Sequence, residues 1–166
     1  MITRMVVTVS GALIAGLLLF SMASPRADNE DGIVRVKSAY PLAETVNRLK
    51  KDVADKGIMF FSEIDQSDLA AKAGIKLLPS TLLVFGNPPL GIQFLASNPD
   101  SGLDWPVRLL VHQDANGDVW TVYTDFYWIA RRHHIKDRGD AFKMASMVIQ
   151  SITSSVGRQR LSDRMA

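Results

Sequence analysis

The sequence predicts an α+β domain with a mainly antiparallel sheet and helices packed on one face, and three observations carry that reading. Runs with an apolar period of two and runs with a helical period alternate along the chain in an order close to βαββαββαα. An Asn116-Gly117 pair between two apolar runs marks a hairpin where a parallel sheet would need a crossover. After removal of an N-terminal leader, about 140 residues remain, enough to bury roughly two thirds of the unfolded surface in one core.

The leader is residues 1–27. Arg4 is followed by an apolar run from Val6 to Phe20 and then by small residues, the layout of a secretory signal with cleavage after Ala23 or Ala27. Met5 to Ala23 also approaches the roughly 20 residues that span a bilayer, so an uncleaved anchor is the alternative. Both readings export the domain, to the periplasm or the medium or tethered by the N-terminal segment. Arg4 favours the cytoplasmic side, and Asp28, Glu30 and Asp31 follow the apolar run.

Residues 28–32 read as a linker and 33–156 as a single domain. Ile33 to Lys37 alternates as a short strand. Pro41 opens an amphipathic helix with Leu42, Val46, Leu49 and Val53 on one stripe, closed by Gly57. Ile58 to Asp65 reads as a strand with Ile58, Phe60 and Ile64 on the core face and Met59, Phe61, Glu63 and Asp65 on the other. Ser67 to Ala73 is a helical turn ended by Gly74, Thr81 to Phe85 is apolar on both faces, and Pro88 to Ser97 is a short helix.

Val107 to Gln113 and Val119 to Asp125 flank the Asn116-Gly117 turn. A two-residue turn pairs Ala115 with Asp118, placing Val111 opposite Val122 and Leu109 opposite Thr124, with Trp120 on that apolar face. The other face collects Arg108, His112, Tyr123 and Asp125, with Arg108 opposite Asp125. Asp125 can cap a helix from Phe126 to Ile135 and Asp140 a last helix to Val156; 157–166 is a polar, frayed tail.

Charge removes one class of partner. Of 19 Lys and Arg, Arg4 and Arg26 lie in the leader, while all 17 Asp and Glu lie beyond it, so the remainder carries 17 of each sign. A neutral domain lacks the field that generic nucleic-acid binding requires. A membrane enters only through an uncleaved leader. The absence of cysteine excludes a catalytic thiol, a disulfide framework and a zinc-thiolate site.

No hydrolase, metalloprotease or phosphate-loop motif is present, and the sequence specifies no cofactor. His133 and His134 are adjacent on a helix, about 100° apart, and do not face one ion; no metal site is expected. Glu63 and Asp65 share a strand face and could divide acid and base roles with His133, which defines a hydrolase- or isomerase-type alternative. Gly86-Asn87-Pro88 reads as a strand-to-helix corner, since the prolines delete the N–H groups that an anion would use. The preferred reading is a non-catalytic module binding a small apolar or amphipathic molecule, or a protein partner. Its surface is Met59, Phe61, Arg108, His112, Tyr123 and Asp125 together with Gly86, Asn87 and Pro88. A homodimer contact is the other outlet for so much apolar surface.

These residues also carry a likeness. Ile64-Asp65, Ala70 to Gly74, Pro79 to Pro88 with its Phe-Gly-Asn-Pro end, Leu103-Asp104-Trp105-Pro106 and Ala130-Arg131-Arg132-His133 together resemble the domain-of-unknown-function family 302, over about 100 positions. The resemblance implies a TATA-binding-protein-like α+β fold, a homodimer and no established activity. Members commonly follow Ile-Asp with His, whereas Gln66 stands here, so any two-histidine site of the family would be half missing.

Overall fold

A computed structural model describes residues 31–157 of the 166; the leader, linker residues 28–30 and the polar tail beyond Gly157 lie outside the described residues. The elements in order are β1 (Ile33–Lys37), α1 (Leu42–Asp55), β2 (Met59–Asp65), α2 (Gln66–Lys72), β3 (Ser80–Gly86) and α3 (Pro88–Ser97). A 3-10 turn (Pro99–Leu103), β4 (Val107–Gln113), β5 (Val119–Thr124), α4 (Phe126–Arg132) and α5 (Gly139–Ser154) complete the chain. The five strands form one antiparallel sheet in the order β1-β5-β4-β3-β2. The α+β expectation is met.

The amphipathic stripes explain the layering. Val46, Leu49 and Val53 of α1 and Phe142, Ala145, Ile149 and Ile152 of α5 pack on Leu83, Phe85, Leu109 and Val111 of the central strands. Phe94 of α3 stacks on Phe142 with ring centroids 4.1 Å apart. Asp125 caps α4 as expected, accepting from the Trp128 N–H at 3.0 Å. Asp140 does not cap α5. The helix starts two residues earlier, with Arg138 at the cap position and no side-chain cap, and Asp140 lies in the first turn.

The hairpin differs from the expectation by one residue. Asp114 pairs with Asp118, its N–H donating to the Asp118 carbonyl at 2.9 Å, and Ala115, Asn116 and Gly117 form a three-residue loop. Only Gly117 of these has positive φ, at 84°, so the mirror-image two-residue turn, which needs two such residues, does not form. The Asp114 carboxylate holds the wider loop by accepting from the N–H groups of Asn116 and Asp118 and from the Trp120 indole. Leu110 therefore faces Val122, where Val111 was expected, and β5 turns over. Val119, Thr121 and Tyr123 are buried, while Trp120 and Val122 lie on the opposite side.

β2 is inverted halfway along for a related reason. A bulge between Phe60 and Ser62 inserts one residue, so Phe60 faces Phe85 as the period predicts, but Glu63 then faces Leu83, and Ile64 faces Leu82 on the other side of the sheet. That other side is a stripe with Arg35 at one end and Val122, Leu110, Leu82 and Ile64 in successive strands.

Candidate functional site

Two places concentrate the residues singled out by sequence: a charge cluster at the start of β4, and an apolar groove beside the Gly86-Asn87 corner.

The charge cluster centres on Asp104, at the end of the 3-10 turn. Its side chain is 4% exposed and lies 2.6 Å from Nε2 of His133, which is itself buried. Arg132 reaches the same carboxylate at 3.2 Å and Arg108 at 3.3 Å. Arg108 also donates to the Leu103 carbonyl at 2.7 Å, and Asn98 donates its amide to the His133 carbonyl at 2.9 Å. One buried carboxylate thus ties the 3-10 turn, β4 and α4 together, with two guanidinium groups reaching solvent on its rim. The partner of His133 is Asp104, not Glu63 or Asp65. Glu63 is held by Lys50 at 2.6 Å, and Asp65 caps α2 by accepting from the Asp68 N–H at 2.9 Å. The Asp65 carboxyl is held below its ordinary value by the Ser67 hydroxyl and then by the Asp68 N–H, which suits a cap and not a proton donor. Arg108 and Asp125 do not pair across the hairpin: the first turns to Asp104, the second to the α4 cap.

The corner is built by close approach. Asn87 caps α3 by accepting from the Leu90 N–H at 3.3 Å, with Pro88 and Pro89 in its first turn. The Trp105 indole lies across both Gly86 and Gly91, and a Cβ on Gly91 would overlap the ring. Phe61 meets the same indole edge-on, centroids 6.2 Å apart. Glycine here is a packing requirement.

Beneath this corner lies a narrow apolar cleft of about 40 Å³ between Phe85, Trp105, Phe126 and the α5 residues Ala145 and Ile149. Ile58, Asn87, Leu90 and Val148 line both the cleft and a surface groove of about 670 Å³ between α3 and α5. Met144 and Met147 form its outer lip, and both are more than half exposed. Its polar margin is engaged internally: Lys56 pairs with Asp52 at 2.7 Å and Gln93 donates to the Pro89 carbonyl at 3.1 Å.

The structure does not gather the sequence-predicted surface in one place. Gly86 and Asn87 line the cleft; Pro88 begins α3 beside it. His112 is half-buried on β4, opposite Trp120 and Ser80, and Phe61 and Met59 lie on the β2 edge. Tyr123, 4% exposed, faces the helices. Met144, Met147 and Val148 carried no motif; their only signal was an apolar flank to the α5 stripe. Asp104 and Trp105 stood within the Leu-Asp-x-Pro segment, but nothing in the spacing said that this segment would meet Arg132-His133. Among the described residues, no cluster of three or more His, Asp and Glu could hold a metal, and no helix is long and apolar enough to cross a membrane.

Comparison with known proteins gives the family and the fold. The profile described as "Domain of unknown function DUF302" matches residues 34–152, which contain all of the sheet but Ile33, the groove and the Asp104–His133 cluster. The chain belongs to the DUF302 family. A crystal structure of an uncharacterized conserved DUF302 protein from Bacillus stearothermophilus superposes with a TM-score of 0.69, at 16% identity, over 75% of this chain and 98% of that one. It shares the fold. Among curated proteins, a fluoride-specific ion channel FluC 1 of Brucella suis and one of Brucella abortus are each 35% identical over 106 residues, 64% of this chain. The chain spans 42% and 39% of the length of these relatives.

Proposed function

We propose that this DUF302 domain is an exported, non-catalytic binding module that takes a small amphipathic molecule into the groove between α3 and α5. One observation carries the reading: the groove adjoins an apolar cleft, with Ile58, Asn87, Leu90 and Val148 lining both, and its lip is two exposed methionines, flexible and polarizable enough to close over varied apolar shapes. The groove has the size of a small-molecule site, while its polar margin is engaged internally, so affinity rests on apolar burial. Export is supported by the leader, which is outside the described residues. The enzyme alternative loses support because His133 is buried against Asp104 and its two proposed carboxylates are engaged elsewhere.

The test is titration of the full chain with the fluorescent probe 1-anilinonaphthalene-8-sulfonate. The reading expects one saturable site, lost in Val148→Trp, which fills the groove. Equal binding to the wild type and that variant contradicts it.

A second reading rests on the names of the curated relatives: the domain serves beside a fluoride-specific channel. It expects deletion of the gene to lower the fluoride concentration that stops growth, and unchanged tolerance opposes it.

A further inference from the structure

We infer that the groove between the end of α4 and the start of α5 is a second binding site, which takes the phosphate group of a small phosphate monoester. The groove has a volume of about 410 Å³, within the range of small-molecule sites. Tyr127, Arg131, His134 and Lys136 line it together with Ile135 and Phe142. The last two are buried, so basic side chains and an apolar floor meet in one depression. Among the described residues, none lines both this groove and the one between α3 and α5.

His134 adds an independent argument. Its φ is 53°, and the turn that holds it closes α4: the His134 N–H donates to the Arg131 carbonyl at 3.1 Å and the Ile135 N–H to the Ala130 carbonyl at 2.9 Å. Glycine is the usual residue at that position, because any side chain there strains the backbone. Among the described residues, the other positive φ angles belong to Gly32, Gly57, Gly74 and Gly117. Only at His134 is the strain accepted, and its side chain is exposed and lines the groove. Strain of this kind collects where a side chain is held for what it contacts.

Charge selects the ligand. From Tyr127 to Asp140 four Lys and Arg stand against two Asp, although the chain beyond the leader is balanced. Arg132 pairs with Asp104, and Arg138 with Asp137 at 3.0 Å, so Arg131 and Lys136 are the cations that line the groove, while Asp140 does not line it. The end of α4 accounts for Arg131 and Arg132 in its last turn, but that attraction fades within the turn, and Lys136 lies four residues beyond Arg132. A phosphate monoester brings about −1.5 to −2 charge and three acceptor oxygens. These match a guanidinium, an ammonium and an imidazole, with the ester group over Ile135 and Phe142. A sulfonate or a carboxylate brings less charge to the same donors.

Calorimetric titration of the full chain with phenyl phosphate at low salt tests this. The inference expects one saturable site, bound about tenfold or more weakly by benzenesulfonate, which carries less charge, and by inorganic phosphate, which lacks the apolar group. His134→Gly should weaken phenyl phosphate about tenfold and at the same time raise the melting temperature by about 2–4 °C, because glycine relieves the backbone. Lys136→Gln should also weaken binding about tenfold. Two controls should bind as the wild type does: Lys143→Gln, which removes an exposed charge outside the groove, and Val148→Trp, which fills the groove between α3 and α5. No saturable binding up to about 10 mM overturns the inference. So does unchanged binding or a lower melting temperature in His134→Gly, equal affinity for benzenesulfonate, or loss of binding in either control. Vesicles containing phosphatidic acid that capture a chain unable to bind phenyl phosphate would overturn it in favour of a membrane surface.

Discussion

The central strands and their neighbours follow the same alternation with different outcomes. In β3 and β4, Leu83, Phe85, Leu109 and Val111 point to the helices, as their positions in an uninterrupted period of two require. In β5 and in the second half of β2 the same rule gives the wrong face. Each of those segments follows one extra residue, Gly117 in the loop or Phe61 in the bulge. A side-chain pattern therefore reports which residues share a face, and a single inserted residue decides which face it is.

The largest test of that comparison sets neighbours on β4 against each other. Leu109→Ala should cost about 3–4 kcal/mol in urea unfolding, because a buried leucine leaves a cavity, whereas Leu110→Ala on the other side should cost under about 1 kcal/mol. Equal losses would mean that both sides of the sheet are packed alike. Next, Asp104→Asn should cost about 2 kcal/mol by the same measurement, since Arg132 and His133 lose a charged acceptor, and the loss should exceed that of Glu63→Gln, an exposed pair. Gly117→Ala should cost about 1 kcal/mol, through a backbone angle that favours glycine, with the register unchanged in cross-strand NOEs.

The smallest effect is electrostatic. The Trp120 indole N–H, followed by the N–H groups of Asp118 and Asn116, holds the Asp114 carboxyl below its ordinary value of 3.8. A depressed carboxyl contributes its stability in full above the unfolded value and loses it as pH falls through the lower folded value. The difference in tryptophan emission between wild type and Asp114→Asn should thus vanish in a transition centred below pH 3.8. A transition at or above that pH would remove Asp114 from the account of the loop.

The fold class, the helix stripes and the Asp125 cap were legible in the sequence because each depends on residues near one another in the chain. The corner at Gly86-Asn87 was legible as a corner, for the same reason. What crosses the chain was not: Trp105 demanding Gly91, Asp104 receiving Arg132 and His133, and α5 supplying the methionine lip all depend on tertiary approach that no local period encodes. The surface assigned by strand register failed at Tyr123 because the Asn116-Gly117 pair allows two loop lengths. Asp114, reaching two backbone N–H groups and an indole, favours the longer.

The groove between α3 and α5 is the claim on which the functional reading depends, and its lip offers a direct probe. With methyl-labelled methionine, Met144 and Met147 report the groove and Met59 the adjoining β2 edge, whose side chain does not line the groove. Titration of the full chain with decanoate should shift the Met144 and Met147 methyl resonances saturably while Met59 stays in place, and Val148→Trp should abolish the shifts. Movement of Met59 alone, or no movement of any methyl, would contradict a binding site between these two helices.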